Sequence, residues 1–335
     1  MKISILTSFY NSQPLIPEFF HRTYKVVSEY FENVEFVIVD DGSRDQSVEI
    51  AIDVAKEFPD VKILRLSKNF GQHRAIFSGL EQTTGDYVFI LDCDLEEPPE
   101  EFHRLWRQLQ KSDADYIYGT QDKRDGGLFR KITSWCFYRI FNSFSEVKVP
   151  NDSCFIRILP RYFVDALLSI GDREPSFIAL SSIVGFKGEG LKIEKTYKGD
   201  SSYSFSKRLK VALNFFLSFS DAPLYLLFVS GSFVAFISLS FLGVVLFEKF
   251  FYATSPGWAS LFASIWLIGG LILASIGIVG LYIRKIYREI LDRPSTFVSE
   301  LQHVGKSVNN SAKNLSRVSN ESRVRVYYKS EDKGL

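Results

Sequence analysis

Two long stretches without a charged residue most constrain what this chain of 335 residues can fold into. They run from Ala222 to Phe247 and from Phe250 to Ile283. Each exceeds the roughly 20 apolar residues that a helix needs to cross a bilayer. Buried core helices are the alternative, but uncharged runs of this length are rare in soluble domains. We therefore predict a hairpin of two transmembrane helices, at 222–247 and 258–283.

Basic residues flank this predicted hairpin on both sides. They are Lys207, Arg208 and Lys210 before the first helix and Arg284, Lys285 and Arg288 after the second. The connection from Glu248 to Trp258 is short and carries one lysine. By the positive-inside rule, both flanks then face the cytoplasm and only the connection crosses. We expect a multi-pass protein of the cytoplasmic (inner) membrane, with its amino-terminal domain and its tail on the cytoplasmic side.

Composition narrows the class further. The formal net charge of +1 offers no general argument for nucleic-acid binding, so we expect no nucleic-acid partner. The three cysteines form no CxxC pair, which fits a reducing compartment. The first residues lack the basic region and long apolar core of a cleavable signal peptide and are typical of a β-strand instead.

The amino-terminal 200 residues alternate between short β-rich runs and helix-like stretches. The predicted strands are Ile3–Ser8, Glu35–Val39, Val61–Leu66, Tyr87–Leu91 and Tyr116–Gly119. The predicted helices are Pro17–Phe31, Ser47–Phe58, Gln72–Glu81 and Glu100–Lys111. This alternation predicts an α/β domain with a mainly parallel sheet flanked by helices.

Closely spaced carboxylates end one of these apolar strands. Asp92 and Asp94 directly follow the run Tyr87–Leu91, at the strand end where open α/β sheets bind ligands. Two carboxylates one residue apart suit Mg²⁺ or Mn²⁺ when substrate phosphates complete the coordination shell. The alternative is an acidic turn that caps the next helix, since Pro98 and Pro99 are typical of a helix start.

A second acidic cluster, Asp40 and Asp41, follows the strand Glu35–Val39. A carboxylate there can accept hydrogen bonds from a base N–H or from ribose hydroxyls, and Gly42 permits a tight turn. A helix-capping Asp-Gly-Ser turn is the alternative. Two such clusters at matching strand ends favour a site for a nucleoside diphosphate.

Basic and aromatic residues alternate in two further segments, 126–147 and 203–220, which suits amphipathic helices at a lipid interface. Ordinary core-facing helices are the alternative. The predicted organisation is therefore a domain at 1–200, an amphipathic juxtamembrane helix at 201–221, the two spans, and a tail at 284–335. The tail is rich in Ser, Asn and Lys, so we expect it to be partly disordered with one short strand near Val324–Tyr328.

Taken together, the motifs resemble those of family 2 glycosyltransferases, and among these the polyprenyl-phosphate glycosyltransferases, the group of dolichyl-phosphate mannose synthases and bactoprenol glucosyltransferases. The matching segments are Phe9–Asn11, Val39–Ser43, Asn69–Gly71, Asp92–Glu100, Tyr162–Leu167, Gly257–Leu261 and Arg293–Pro294. The resemblance covers about residues 1 to 300, and its specificity comes from the combination of motifs.

This resemblance implies a GT-A fold and an inverting, metal-dependent transfer of a sugar from a nucleotide donor, with a UDP-sugar favoured, to a membrane polyprenyl phosphate. Such a product serves the synthesis or modification of cell-surface glycans. The metal would be Mg²⁺ or Mn²⁺, and family members favour self-association, so a homo-oligomer is expected.

The resemblance also implies roles for individual residues. The expected metal ligands are Asp92, Asp94 and Glu96, and the expected nucleotide-binding residues are Phe9, Asn11, Asp40, Asp41 and Cys93. The residues expected to bind the lipid phosphate are Arg124, Arg130, Lys131, Lys195, Lys198 and Ser202. The expected catalytic residues are Asp94, Asp152 and Arg124.

One segment departs from the family pattern. Many relatives carry Asp-Phe-Arg-Leu where this chain has Phe155-Ile156-Arg157-Ile158, and the nearest acid, Asp152, lies three residues upstream. Either Asp152 enters the site, which we favour, or the acceptor reacts without a carboxylate. A phosphate monoester is already largely anionic at pH 7, so it needs a general base less than a hydroxyl acceptor does.

Two other functions fit parts of the sequence. A processive polysaccharide synthase would share the nucleotide and metal motifs, but such enzymes usually carry Gln-x-x-Arg-Trp, and here no Trp follows an Arg. A non-catalytic membrane scaffold that keeps the GT-A fold is the second alternative, which the intact Asp92 and Asp94 oppose.

Overall fold

The protein is described by a computed structural model over residues 1–121, 153–171, 177–195, 258–291, 294–305 and 325–326, with scattered helical residues between 224 and 240. The chain forms two compact units. One comprises Met1–Ile132, Lys148–Ser201 and Arg293–Leu335, and the other comprises Thr133–Val147 and Ser202–Asp292. Each is described by itself.

Strands and helices alternate through the first unit. Its elements are β1 (Lys2–Phe9), α1 (Ile16–Val27), β2 (Asn33–Asp40), α2 (Ser47–Ala55), β3 (Val61–Leu66), α3 (Gln72–Leu80), β4 (Tyr87–Ile90), α4 (Phe102–Lys111), β5 (Tyr116–Thr120), β6 (Ser153–Pro160), α5 (Arg161–Ile170), α6 (Phe177–Ile183), β7 (Gly188–Lys192), β8 (Phe297–Val304) and β9 (Arg325–Val326). A 3₁₀ turn at Pro99–Glu101 precedes α4.

The nine strands of the described residues belong to one sheet, in the order β7-β5-β6-β4-β1-β2-β3-β8-β9. The four strands β3, β2, β1 and β4 are parallel, whereas β6 is antiparallel to both of its neighbours. A mixed, mostly parallel sheet flanked by helices is the predicted GT-A architecture, which is thereby confirmed.

Burial on both faces explains why the central strands are almost continuously apolar. On β2, Phe36 and Ile38 face one hydrophobic cluster, while Val37 and Val39 face the other. This alternation follows from the two-residue period of a strand, and covering both faces with helices favours apolar residues at most positions. The polar residues are consequently displaced to the strand ends.

The chain after the predicted second span returns to the sheet as β8, which the sequence pattern did not predict. This strand is antiparallel to β3, from Val61 opposite Val304 to Leu66 opposite Val298. The short strand expected further along the tail is present as β9, which pairs with β8. The structured unit therefore includes residues well beyond the predicted boundary at 200.

In the second unit, α7 (Trp258–Ile290) contains the segment Leu267–Arg284, which is long and apolar enough to cross a membrane. Its large apolar side chains are exposed, among them Leu273 at 72% and Ile276 at 62%. This agrees with the second predicted span. Most of the first predicted span and the amphipathic segments at 126–147 and 203–220 lie outside the described residues.

Candidate functional site

Both predicted acidic clusters lie at one edge of the sheet. Phe9, the last residue of β1, is opposite Asp40, the last residue of β2, and Leu6 of β1 is opposite Ile90 of β4. Asp92 follows Ile90 by two residues, so the carboxyl ends of three neighbouring parallel strands supply the clusters. Parallel pairing produces this arrangement, because it brings equivalent strand ends together.

Asp40 is fully buried and only partly satisfied. Its Oδ1 accepts a hydrogen bond from the Ser43 N–H at 2.9 Å. Its Oδ2 accepts none from the described residues and lies 3.6 Å from Nε of Arg65. Burial raises the pKa of Asp40, although Ser43 and Arg65 oppose the shift. A buried acceptor with spare capacity is suited to receive a ligand N–H or hydroxyl.

Asp41 has a different environment from its neighbour. Its two oxygens accept hydrogen bonds from the backbone N–H groups of Phe70 at 2.7 Å and Gly71 at 2.9 Å. The turn is tight, because Gly42 has φ +76° and a methyl group there would lie 2.4 Å from the carbonyl carbon of Lys68. Asp41 therefore anchors the loop before α3, and the roles predicted for Asp40 and Asp41 in nucleotide binding stay predictions.

Asn11 fixes the end of β1 against the Asp-Gly-Ser turn. Its N–H donates to Oγ of Ser43 at 2.9 Å, and its Oδ1 accepts from the Arg44 N–H at 3.0 Å. The residue has φ +52°, a conformation that asparagine tolerates better than most residues. Phe9 is buried in the core, while Tyr10 between them is 44% exposed. Phe9 and Asn11 thus lie beside the turn Asp40–Ser43, and their predicted roles in nucleotide binding stay predictions.

Residues 70–72 connect the two acidic clusters. Phe70 and Gly71 donate to Asp41, and the side-chain amide of Gln72 donates to Oδ1 of Asp92. Gln72 is the first residue of α3, so the helix start lies between the clusters. No role was predicted for Gln72, although its place directly after the motif Asn69–Gly71 is a signal that the sequence displays.

Asp94 and Cys93 complete the second cluster. Oδ1 of Asp94 accepts a hydrogen bond from the Glu96 N–H at 2.9 Å, which closes a local turn. Cys93 packs in the hydrophobic core, and its burial, with the Asp94 and Asp92 carboxylates, raises the pKa of the thiol to about 12. Cys93 is one of the residues predicted to bind the nucleotide, but its side chain packs in the core, so any contact with a nucleotide would come from its backbone.

The second cluster concentrates negative charge. Burial, with Glu97 and Asp94 nearby, raises the pKa of Asp92 well above its usual range. A divalent cation would relieve this crowding. No group of three His, Cys, Asp or Glu side chains in the described part of the chain is arranged to hold a metal. Asp92 and Asp94 alone still fit Mg²⁺, which keeps waters and binds through one or two carboxylates plus substrate phosphates.

Glu97 is the residue that the sequence analysis missed. It is 1% exposed, and its carboxylate accepts hydrogen bonds from the N–H groups of Phe155 at 3.1 Å and Ile156 at 2.6 Å. Nζ of Lys195 lies 2.8 Å from its Oε1. The segment 92–97 after β4 is called the acidic loop. The buried Glu97 carboxylate therefore joins this loop to the start of β6 and to the chain after β7.

Two cations balance this charge. Although burial opposes it, Glu97 raises the pKa of Lys195, so this lysine is held as the partner of Glu97. Arg157 is buried, donates to the carbonyls of Phe155 and Cys154, and lies 4.7 Å from the ring centre of Phe177. A guanidinium stays charged in proteins, so Arg157 supplies a permanent positive charge beneath the carboxylates.

Six predicted site residues lie outside the described part of the chain. They are Arg124, Arg130, Lys131, Asp152, Lys198 and Ser202. Their predicted roles with the lipid phosphate, and the predicted catalytic roles of Asp152 and Arg124, stay predictions.

Comparison with known proteins agrees with this geometry. Residues 4–168 match the family described as "Glycosyl transferase family 2". A glycosyltransferase of Mycobacterium tuberculosis (strain CDC 1551 / Oshkosh) is 33% identical over 90% of this chain and 88% of its own. The undecaprenyl-phosphate 4-deoxy-4-formamido-L-arabinose transferase of Enterobacter sp. (strain 638) is 32% identical over 93% of this chain and 97% of its own.

Among solved structures, mannosyl-3-phosphoglycerate synthase from Rubrobacter xylanophilus shares 14% identity, with a TM-score of 0.44 over 64% of this chain and 71% of that one. A likeness this distant says nothing about activity.

Proposed function

This chain belongs to glycosyl transferase family 2 and is a glycosyltransferase, and on that premise we propose that it transfers a sugar from a nucleotide donor to a polyprenyl phosphate in the membrane. The observation that carries the proposal is the pair of acidic clusters at one sheet edge, joined through residues 70–72. The relative that acts on undecaprenyl phosphate spans nearly the whole chain, which supports a lipid phosphate as the acceptor.

The donor would bind with its base and ribose toward Asp40 and its diphosphate toward Asp92 and Asp94. The buried Oδ2 of Asp40 is available to accept a base N–H or a ribose hydroxyl. Asp92 and Asp94 would hold Mg²⁺ or Mn²⁺, which neutralises charge on the departing nucleoside diphosphate. Glu96, the third predicted ligand, is partly buried two residues beyond Asp94. We favour a uridine nucleotide on family resemblance alone.

The acceptor would approach from the membrane. Its phosphate is largely anionic at neutral pH, so positioning and basic side chains can supply much of the catalysis. The proposed phosphate-binding residues are Arg124, Arg130, Lys131, Lys195, Lys198 and Ser202, of which Lys195 also pairs with Glu97. Asp152 is the proposed carboxylate beside the acceptor. If a phosphate oxygen of the acceptor attacks the anomeric carbon from the side opposite the departing diphosphate, the configuration at that carbon would be inverted. The exposed apolar surface of α7 supports a position at the membrane.

The test is a transfer assay on the purified full-length chain with polyprenyl phosphate, a panel of nucleotide sugars, and Mg²⁺, Mn²⁺ or EDTA. We expect one donor to yield a lipid-linked sugar, detected by mass spectrometry, with an anomeric configuration opposite to that of the donor. Asp92→Asn and Asp94→Asn should each lower turnover at least a hundredfold, the order of effect of losing charge stabilisation in a transition state.

Asp86→Asn is the matched control, because Asp86 lies at the opposite end of β4 and accepts the backbone N–H of Lys2. It should keep full turnover. A polymer formed without lipid phosphate would favour the polysaccharide synthase instead. If no donor gave a product, the non-catalytic membrane scaffold would be the remaining alternative. Full turnover in Asp152→Asn would remove the role proposed for that residue.

A further inference from the structure

The chain that follows α7 contacts the loop between the two acidic clusters. We call residues Ser67–Gln72 the donor loop. The Ser67 N–H donates to the carbonyl of Phe297 at 2.9 Å, and the ring of Phe70 lies 6.3 Å from that of Phe297. Pairing between β3 and β8 shifts register at Arg65 and Leu66, directly before this loop. The first residues of β8 therefore pack behind the donor loop.

A buried hydroxyl pair adds a second contact. Thr296 is fully buried, and its hydroxyl lies 2.7 Å from that of Ser78 on α3, which is also buried. The two residues are 218 positions apart in the sequence. The Ser78 hydroxyl also donates to the Arg74 carbonyl at 3.0 Å, which leaves Thr296 as the donor to Ser78. A buried hydroxyl without a partner is costly, so this bond holds Thr296 against α3. Thr296 thereby fixes the helix that begins with Gln72.

The same loop sets the position of the acidic side chains. Phe70 and Gly71 donate to Asp41, and Gln72 donates to Asp92. Arg65, whose side chain lies beside Asp40, is also bound by β8. Its carbonyl accepts a hydrogen bond from the Ser299 hydroxyl at 3.0 Å. Thr296, Phe297 and Ser299 thus contact the same stretch of chain, from Arg65 to α3, that contacts the clusters.

We propose that Thr296 and Phe297 are positioning residues for the nucleotide donor, so the segment after the membrane helix is part of the catalytic unit. This inference depends on the proposed function, because it assumes that a nucleoside diphosphate binds at the clusters. The physical reason is that the donor loop is hydrogen-bonded to Asp41 through its backbone and to Asp92 through Gln72, so a displacement of the loop would move both acidic clusters. Without Phe297 behind it, Asp41 and Gln72 lose their common support.

The experiment measures UDP and GDP binding in the presence of Mg²⁺ by calorimetry on full-length variants in detergent, together with steady-state kinetics. We expect Phe297→Ala and Thr296→Val each to weaken binding of the preferred nucleotide roughly tenfold, equivalent to about 1.4 kcal/mol. The KM for the donor should rise in parallel. The KM for polyprenyl phosphate and the kcat at saturating donor should stay unchanged, a split that general destabilisation does not produce.

Leu301→Ala is the matched control on the same strand, since Leu301 is partly buried opposite Leu64, away from the donor loop. It should lower the melting temperature and keep nucleotide affinity. Phe297→Tyr should restore binding, because the ring is retained. Wild-type affinity in both Phe297→Ala and Thr296→Val, or equal weakening in Leu301→Ala, would overturn the inference. A wild-type chain that binds no nucleoside diphosphate and forms no product would overturn the proposed function itself.

Discussion

Glu97 shows how one buried carboxylate can organise an acidic site through its hydrogen bonds and ion pair. It lies beside Asp92 and Asp94, where more negative charge is unfavourable, yet it accepts two backbone N–H groups and pairs with Lys195. Buried charge is tolerated when each oxygen has a partner. Its role is therefore to hold the start of β6 against the acidic loop.

Glu97→Ala should strongly destabilise the protein, because it leaves Lys195 without its partner and two backbone N–H groups without an acceptor. We expect a loss of about 3–5 kcal/mol, the usual cost of breaking a buried pair. Thermal denaturation in detergent measures it. The control is Glu100→Ala, three residues after Glu97, which removes an exposed ion pair with Arg22. It should cost no more than about 1 kcal/mol. Equal losses of stability in the two variants would contradict this structural role of Glu97.

Gly42 offers a test of how closely the donor loop must approach the Asp40–Asp41 turn. Gly42→Ala combines strain at φ +76° with a clash against the backbone of Lys68 and Asn69, so it should cost more than about 2 kcal/mol and weaken nucleotide binding. Gly71→Ala at φ +98° meets no atom within 4 Å and should cost only about 1–2 kcal/mol. Calorimetric binding and melting temperatures distinguish the two, and a smaller effect at Gly42 would contradict the close approach.

At the scale of elements, α7 is a long helix whose apolar side chains are exposed where a soluble helix would cover them. A lysine at the centre of a spanning helix costs about 2.5–3.5 kcal/mol on the insertion scale, so Ile272→Lys should reduce membrane integration. Ile290→Lys at the helix end should be tolerated, because the lysine can reach the interface. The measurement is the fraction resistant to carbonate extraction. Undiminished integration of Ile272→Lys would argue against a span here.

At the scale of the whole molecule, another buried carboxylate stabilises the end of the sheet opposite the site. Glu35 is fully buried on β2, where Nζ of Lys62 lies 2.6 Å away and the Thr84 N–H donates at 2.9 Å. The Ser4 hydroxyl donates as well. Burial acts to raise the pKa of Glu35, but Lys62, Ser4 and Thr84 outweigh it and lower the pKa overall.

This lowered pKa sets the sign of a pH effect. Glu35 stabilises the fold fully above its unfolded-state pKa, and this contribution is lost as the pH falls through the lower folded-state pKa. At pH 7, Glu35→Gln should cost about 3 kcal/mol, and the difference from wild type should shrink below about pH 4. Melting temperatures across pH measure it. Asp53→Asn, in an exposed ion pair with Lys56, should change stability by less than about 1 kcal/mol. A wild-type advantage that persists at low pH would refute the assignment.

Local pattern was enough to predict much of this protein. The apolar runs at Tyr87–Leu91 and Glu35–Val39 became central strands, and the carboxylates that follow them lie at one edge, because parallel strands share a polarity. The second uncharged stretch became the helix α7. Strand length, periodicity and the sign of charge at strand ends are properties of neighbouring residues, so a single sequence displays them.

Only the tertiary structure decided which carboxylate does what. Asp40 and Asp41 are adjacent in the sequence, yet one has a buried oxygen that accepts no hydrogen bond from the described residues and the other anchors the donor loop. Glu97 differs from Glu96 because β6 supplies backbone N–H donors to its carboxylate. Likewise, β8 pairs with β3 although the two strands are more than 200 residues apart in the sequence. Burial and hydrogen-bond partners come from distant parts of the chain, and no local pattern of residue types records which segments will meet.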